Sequence, residues 1–363
     1  MERSWSPANG SGEDRPWDSE ESIVEPLLPY GMDGSGRALS RRALLGGAAA
    51  TSLALVGGEG LVRTALAAGA PYRAFRKSYW NRPLPVDARR ADDSAAMIDF
   101  IRRTSGRNHV RLAGTSSSGR FGLPIYWARD GSPTYDVLGG SLPPEFSHLR
   151  IPKGARADAS SDGAMCVFDR GRGWVAWLFR ASFANGRWSA EGGAIHRLRS
   201  NGLDGSWRCV NRDRRNRGHR GMPGAIAAIR YDEIRAGVIP HVLRIAVPAA
   251  SGRHVFPMVN SDGDSSAPAA PPQGARLRIK PSVPLRALHR QGKLSRAGLI
   301  VARCLKRYGA VVGDESGDTM IKVEHTIAEG RGWLWRGRLG LDSLHAIPFS
   351  DYEFVRLGWG RCG

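Results

Sequence analysis

The chain has 363 residues with a formal net charge of +19, and 41% of its residues are hydrophobic, which is enough for a well-buried core. The basic excess favours anionic partners such as acidic polysaccharide or cell-wall polymer, although an arginine-rich surface can also be merely solvated. Beyond residue 67 no apolar run approaches the roughly 20 residues of a membrane span, so no transmembrane segment is expected there.

The first 67 residues resemble a bacterial twin-arginine export signal. Ser40 is followed by Arg41 and Arg42, residues 48–56 form an alanine-rich apolar run, and residues 65–67 offer the small side chains of a cleavage site. The acidic stretch before this motif is typical of a disordered extension. We therefore expect residues 1–67 to be a disordered region plus signal peptide, and residues 68–363 to be a single β-rich domain that works outside the cell.

A short helix is the first regular element predicted after the leader. Residues 92–104 begin with an acidic turn, and Ala96, Met97, Phe100 and Ile101 follow at helical spacing.

From residue 120 the apolar residues take the spacing of strands. Predicted strands cover residues 123–127, 134–138, 165–168, 174–181, 187–190 and 194–198, and the turn at 170–173 joins two of them in a hairpin. Short, evenly spaced strands predict a mainly β fold, either an antiparallel β-sandwich or a jelly-roll-like domain with a few peripheral helices. An α+β arrangement is the alternative.

Residues 201–224 interrupt the strands with a run that is dense in arginine. One interpretation is a long solvated loop. The alternative is an anion-binding loop in which Arg212 and Arg215 contact the substrate.

The C-terminal third mixes strands with the clearest helix of the chain. Ser295 is a predicted N-cap, and an apolar stripe with Val301, Cys304 and Leu305 runs to Tyr308. The other predictions are a helical turn at 231–237, strands at 241–246, 276–280 and 352–357, and a hairpin of strands 310–312 and 320–323. In strand 276–280 the alternation places arginine and lysine outward.

The four cysteines follow the predicted cleavage site, so an exported protein could form two disulfides in three possible pairings. Cys166 and Cys304 lie on apolar faces, which favours free buried thiols, and the sequence does not decide among the pairings. Without a C-x-x-C pair, a His-Glu-x-x-His helix or a phosphate-binding loop, we predict no metal site and no cofactor.

Several segments between residues 79 and 357 resemble a family of exported proteins that is common in actinobacteria and largely without assigned function. They are residues 94–98, 162–165, 195–200, 230–237, 239–241, 274–280 and 302–314. Relatives in that family often carry His at the position of Ala164 and a carboxylate at the position of Trp177. The resemblance thus implies that this chain has lost two groups able to move protons or hold a metal.

The candidate catalytic residues are ionisable side chains near strand ends. A glycosidase needs two facing carboxylates, for which Asp169 and Glu324 are the candidates. A polysaccharide lyase needs a base and a cation that neutralises the uronate, and His241 or His254 with an arginine would serve. Each histidine is also explained by an ordinary structural role.

Tryptophans cluster in the predicted meander, where Trp177 and Trp188 are the candidate substrate contacts. Exposed together they would stack on sugar rings, and buried they would fill the core.

The leading hypothesis is an exported protein that binds or processes an extracellular carbohydrate or cell-wall polymer, as a lyase or glycoside hydrolase if it is an enzyme. The alternative is a noncatalytic surface protein that keeps the fold without chemistry. Nucleic acid is a weaker candidate, because no helix-turn-helix or stacking motif occurs. A pocket with converging His, Arg and carboxylate would favour the enzyme, and an aromatic face would favour the binder.

Overall fold

The computed structural model describes residues 71–75, 78–208, 214–325 and 334–361. The predicted leader, Cys209, Arg212 and Cys362 lie outside these residues.

Strands outnumber helices in the described part of the chain. The helices are α1 (Ser94–Thr104), α2 (Tyr231–Ala236), α3 (Leu285–Arg290) and α4 (Arg296–Arg307). The strands are β1 (Arg111–Ala113), β2 (Ile125–Ala128), β3 (Thr134–Tyr135), β4 (Leu149–Arg150), β5 (Met165–Asp169), β6 (Trp174–Phe179), β7 (Ser182–Ala184), β8 (Arg187–Ser189), β9 (Gly192–Arg197), β10 (Arg217–Gly218), β11 (Leu243–Val247), β12 (Ser251–His254), β13 (Pro272–Gln273), β14 (Arg276–Ile279), β15 (Ala310–Glu315), β16 (Met320–Lys322) and β17 (Tyr352–Phe354).

Two larger sheets organise these strands. A six-stranded sheet has the order β1-β16-β11-β15-β14-β17, and a five-stranded sheet has the order β10-β9-β6-β5-β2. Three two-stranded pairs, β3–β4, β7–β8 and β12–β13, complete the β structure. The prediction of a mainly β fold with a few helices is confirmed, and the arrangement is a β-rich α+β fold.

Both larger sheets are mixed, so the expectation of purely antiparallel pairing is not met. β1 with β16, β11 with β15, and β2 with β5 are parallel pairs. The predicted hairpin of β15 and β16 is wrong, because β11 lies between them. The predicted β5–β6 hairpin is confirmed, with Asp169 opposite Trp174.

The five-stranded sheet separates two apolar cores. Alternate side chains of a strand point to opposite faces, so Cys166 and Phe168 enter the main core while Met165 and Val167 enter a second core. Residues of the six-stranded sheet such as Ile245 face the main core as well. The sheets adjoin where a parallel bridge joins Leu123, just before β2, to Glu324, just after β16.

The helix predicted from Ser295 is confirmed. The Ser295 hydroxyl accepts a hydrogen bond from the Gly298 amide at 3.0 Å, and the stripe with Val301, Cys304 and Leu305 is buried. α4 packs against β14 and α1 against β17. Cys304 and Cys166 are free buried thiols as predicted, and burial raises both thiol pKa values.

The predicted outward orientation of the β14 arginines is wrong. Arg276 and Arg278 are buried, because the chain around residues 82–88 crosses their face of the sheet. Arg276 donates to the carbonyls of Tyr308 and Arg82, at 2.7 and 2.9 Å. Arg278 is paired with Glu353 at 2.7 Å.

Candidate functional site

A surface cleft of about 440 Å³ borders the second core beside the β7–β8 hairpin. Its lining includes Tyr135, Arg156, Asp158, Phe183 and Trp188. An aromatic wall therefore stands beside polar groups, which is the composition typical of a ligand cleft.

Phe183 is the exposed ring of the aromatic wall. Phe183 lies directly opposite Trp188 across the hairpin, with ring centroids 5.2 Å apart, and Tyr135 meets it edge-on at 5.8 Å. Half of Phe183 is exposed, whereas Trp188 is only 3% exposed. The predicted contact residue Trp188 thus braces Phe183 from beneath, and Phe183 is the ring that a ligand can reach.

Arg156 supplies the cation of the cleft. A single phenol fixes its backbone, because the Tyr126 hydroxyl accepts from the Arg156 amide and donates to the Arg156 carbonyl, both at 2.8 Å. The exposed guanidinium makes no ion pair with any described residue. The backbone of Arg156 is therefore fixed by hydrogen bonds, while its guanidinium group is accessible to a ligand in the cleft.

Asp158 lies within the wall of the cleft. Its Oδ2 accepts from the amides of Phe121 and Ser160, at 3.2 and 3.0 Å, and its Oδ1 is 3.7 Å from Nδ1 of His325. Burial lowers the pKa of His325, and the nearby Asp158 charge opposes that shift. Gly119, at φ +62°, lies so close to this imidazole that a Cβ would clash with it. The Asp158 and His325 side chains are therefore buried together, with Asp158 at the wall of the cleft and His325 packed against Gly119.

A second concentration of charge lies around His219, between the two larger sheets. Arg244 donates to Nε2 of His219 at 2.8 Å, and the imidazole is 3.7 Å from the Trp177 ring. Desolvation, together with the charges of Arg244 and Arg220, lowers the pKa of His219 well below its usual value. The ring is therefore a neutral imidazole, and the predicted contact Trp177 is buried against it.

The turn that carries His219 is strained. Residues 218–221 have φ values of +93, +42, +54 and +91°, and the middle two, His219 and Arg220, are not glycine. Left-handed non-glycine residues cost on the order of 1 to 3 kcal/mol each. Arg220 anchors the turn through Asp314 at 3.0 Å and Asp262 at 3.1 Å.

Asp169, the first predicted catalytic carboxylate, is fully buried at the end of β5. Arg150 binds both of its oxygens, at 2.7 and 3.0 Å, and the Arg172 amide donates to Oδ1 at 2.8 Å. This bidentate pair ties β5 to β4.

His241, the predicted base, belongs to a buried ion network, which we define as Arg230, Glu233 and His241. Glu233 lies 2.6 Å from Nε2 of His241 and 3.0 Å from the Arg230 guanidinium. Burial by itself would raise the pKa of Glu233, but the charges of Arg230 and His241 lower it below its usual value. All three side chains are enclosed by protein.

Glu324, the second predicted carboxylate, is distant from α2 in sequence, but its side chain contacts the first residue of that helix. Its Oε2 accepts from the Tyr231 amide at 2.8 Å, and its carbonyl accepts from Trp335 at 2.7 Å. The structure thus leaves Asp169 and Glu324 in separate contacts, and neither lines the cleft.

The remaining candidates divide between surface and interior. Arg215 is exposed, and Arg212 is outside the described residues. Ala164 and Trp177, the positions singled out by the family resemblance, are both buried and face the main core.

Sequence reasoning missed Phe183, Arg156 and the exceptional turn at His219. The alternation of β7 marks Phe183 as pointing opposite to its neighbours, but only the fold decides which side is solvent. Within the described ranges, no group of three or more His, Cys, Asp or Glu residues is arranged to hold a metal ion. No described helix is long and apolar enough to cross a membrane.

Searches against models of protein families, curated proteins and solved structures find no match for this chain.

Proposed function

We propose that the protein binds an extracellular carbohydrate or cell-wall polymer and that the cleft at Phe183 holds one stretch of the chain. The observation that carries the proposal is the half-exposed Phe183 ring, braced by Trp188 and Tyr135 in a cleft with the open cation of Arg156. An aromatic face packs against the C–H face of a sugar, and a guanidinium donates to its oxygens.

Binding without cleavage is the version that the contacts support. Asp169, His241 and Glu324 are each committed to buried hydrogen bonds, and none of them lines the cleft. The buried Ala164 and Trp177 agree with this version, because neither side chain can transfer a proton. A noncatalytic binder on a retained fold is thus the more specific form of the proposal.

Affinity electrophoresis through gels that contain soluble glucans or xylans tests the proposal, with pull-down on insoluble cellulose, chitin and peptidoglycan. Phe183→Ala is expected to weaken binding about tenfold, since an aromatic contact contributes on the order of 1 kcal/mol beyond its burial. Leu341→Ala truncates an exposed apolar side chain beside β1 and is the control that should bind normally. Equal binding by Phe183→Ala and the original protein would show that the cleft is not the carbohydrate-binding site.

We also propose that the protein is exported by the twin-arginine route. The support is Arg41 and Arg42 before the alanine-rich run. Replacing both arginines with lysine should leave precursor in the cytoplasm, as fractionation and immunoblotting would reveal. Normal secretion of that variant would rule out the route.

Two structural interpretations accompany this function. The two larger sheets are taken as a sandwich-like pair, because side chains from both meet in the main core. Membership in the actinobacterial exported family stays a hypothesis, and an experimental structure of a relative with a different strand order would reject it.

A further inference from the structure

The arginine segment, defined as residues 214–221, begins in a turn at Arg214 and enters a short strand at Arg217. Arg215 is exposed, Asn216 is fully buried and Arg217 is exposed again. Arg217 pairs with Ile195 as β10 at the edge of the five-stranded sheet. The segment is therefore attached to the edge of the sheet at residues 217–218.

Asn216 anchors the first half of the arginine segment. Its side chain accepts from the Arg197 amide at 2.8 Å and donates to Ser200 Oγ and the Leu203 carbonyl, at 2.9 and 2.8 Å. Its own carbonyl accepts from the Gly205 amide at 3.1 Å. The Arg214 backbone passes so close to Gly205 that a Cβ there would meet it at 2.7 Å. This half of the segment is thus pinned on both sides.

His219 and Arg220 anchor the second half. The strained turn fixes them against Arg244, Trp177 and Asp314, and the two carboxylates near Arg220 offset its charge. Arg220 therefore acts as an anchor rather than as an anion contact. Backbone strain of this kind persists only where the surrounding contacts enforce it.

Arg214 and Arg217 remain as available charges. Both guanidinium groups belong to exposed residues, and neither forms an ion pair with a described residue. Because anchors on each side hold their backbone, little main-chain freedom is lost when an anion binds. Guanidinium groups also match the planar, two-oxygen geometry of a carboxylate.

We propose that the arginine segment is a second binding site that recognises a carboxylate-bearing polysaccharide through Arg214 and Arg217. This site is separate from the cleft and does not depend on it. A uronate chain is favoured over nucleic acid because residues 214–221 contain no Phe, Tyr or Trp on which a base could stack, and the His219 ring is packed against Trp177.

The test uses the chain without its predicted leader and measures dissociation constants by biolayer interferometry at 50 and 150 mM NaCl. The probes are immobilised polygalacturonate, its fully methyl-esterified form, which lacks the charge, and duplex DNA. The original protein should prefer polygalacturonate, and Arg214→Ser with Arg217→Ser should weaken that binding about tenfold at low salt, as expected for two exposed ion contacts.

The matched control is Arg129→Ser with Arg290→Ser, which removes two exposed arginines elsewhere and should change binding by less than about twofold. Equal losses in the two double variants would overturn the proposal, since bulk charge would then explain the binding. Absence of polygalacturonate binding, or preferred binding of DNA that the first double variant abolishes, would overturn it as well. Phe183→Ala should keep its affinity for polygalacturonate, and joint loss would contradict two separate sites.

Discussion

The buried ion network and the arginine segment place the same kind of side chain in opposite roles. In the network, Arg230 is enclosed and its charge is met by Glu233 at 3.0 Å and Asp232 at 3.1 Å. In the segment, Arg217 is exposed and has no carboxylate partner among the described residues. A buried charge needs an ionic partner to offset its loss of hydration. An exposed charge stays hydrated without a partner and is free to bind a ligand. The comparison separates charge that holds the fold together from charge that can bind.

Breaking the network should have the largest effect on stability. Glu233→Ala leaves the Arg230 guanidinium and His241 without their common partner, and loss of one member of a buried pair costs about 3 to 5 kcal/mol. Urea unfolding monitored by tryptophan fluorescence measures the change.

Asp232→Asn is the control for Glu233, because Asp232 lies next to it in sequence and also pairs with Arg230, but its side chain is 45% exposed. It should cost less than about 1 kcal/mol. Equal losses for the two variants would mean that burial does not distinguish these carboxylates.

His196 sharpens the comparison from within the core. It is fully buried, and neither ring nitrogen has a hydrogen-bond partner in the described structure. Burial lowers its pKa to about 3. The unfolded chain binds a proton near pH 6.5, so the native state loses stability as pH falls from about 6.5 towards 3, by about 1.4 kcal/mol per pH unit.

His196→Leu should remove this proton linkage. The variant is expected to be at least as stable as the original protein at pH 7, since an unpaired polar group is replaced by an apolar one. Between pH 6 and pH 4.5 the free energy of unfolding of the original protein should fall more steeply than that of the variant. The two slopes should differ by about 1.4 kcal/mol per pH unit. Urea unfolding at several pH values measures the slope, and an unchanged slope would contradict the neutral, buried state of His196.

The smallest effect should come from the exposed charges. Arg214→Ser with Arg217→Ser is expected to change the free energy of unfolding by less than about 0.5 kcal/mol per site, as for other surface substitutions. A loss comparable to that of Glu233→Ala would show that these arginines hold the fold. Chemical denaturation of both variants under one buffer condition makes the comparison.

Local signals predicted the elements that short-range contacts decide. The Ser295 cap and the apolar stripe of α4 lie within one helix, and the β5–β6 hairpin turns within residues 170–173. The predicted β15–β16 hairpin and the predicted outward orientation of the β14 arginines are wrong because contacts between residues distant in sequence decide both. β11 enters between β15 and β16, and the chain near Arg82 covers Arg276, so neither arrangement is visible in a local pattern.

In the candidate site, too, local sequence signals predict some features, whereas contacts between distant segments decide the others. The clustering of aromatic residues in the meander predicts a contact at Trp188, and Trp188 does line the cleft. Which of Phe183 and Trp188 faces solvent depends on how the hairpin lies over the second core, and alternation alone does not reveal that choice. The pinning of the arginine segment by Asn216 was equally hidden, because its partners are other loops.

The covering of β14 by the chain that begins near residue 80 has a consequence for the order of folding. Trp80 accepts from the Val242 amide at 2.8 Å, the Leu84 amide donates to Arg307 at 2.8 Å, and the Ala91 amide donates to Phe354 at 2.9 Å. Each contact joins an early residue to one more than 150 positions later, as do the parallel strands β1 and β16. A growing chain cannot close this region until β17 has been synthesised, and such long loops slow folding. The domain should therefore complete its fold only after β17 has left the ribosome, and unfolding of the segment near Trp80 should release β17 as well.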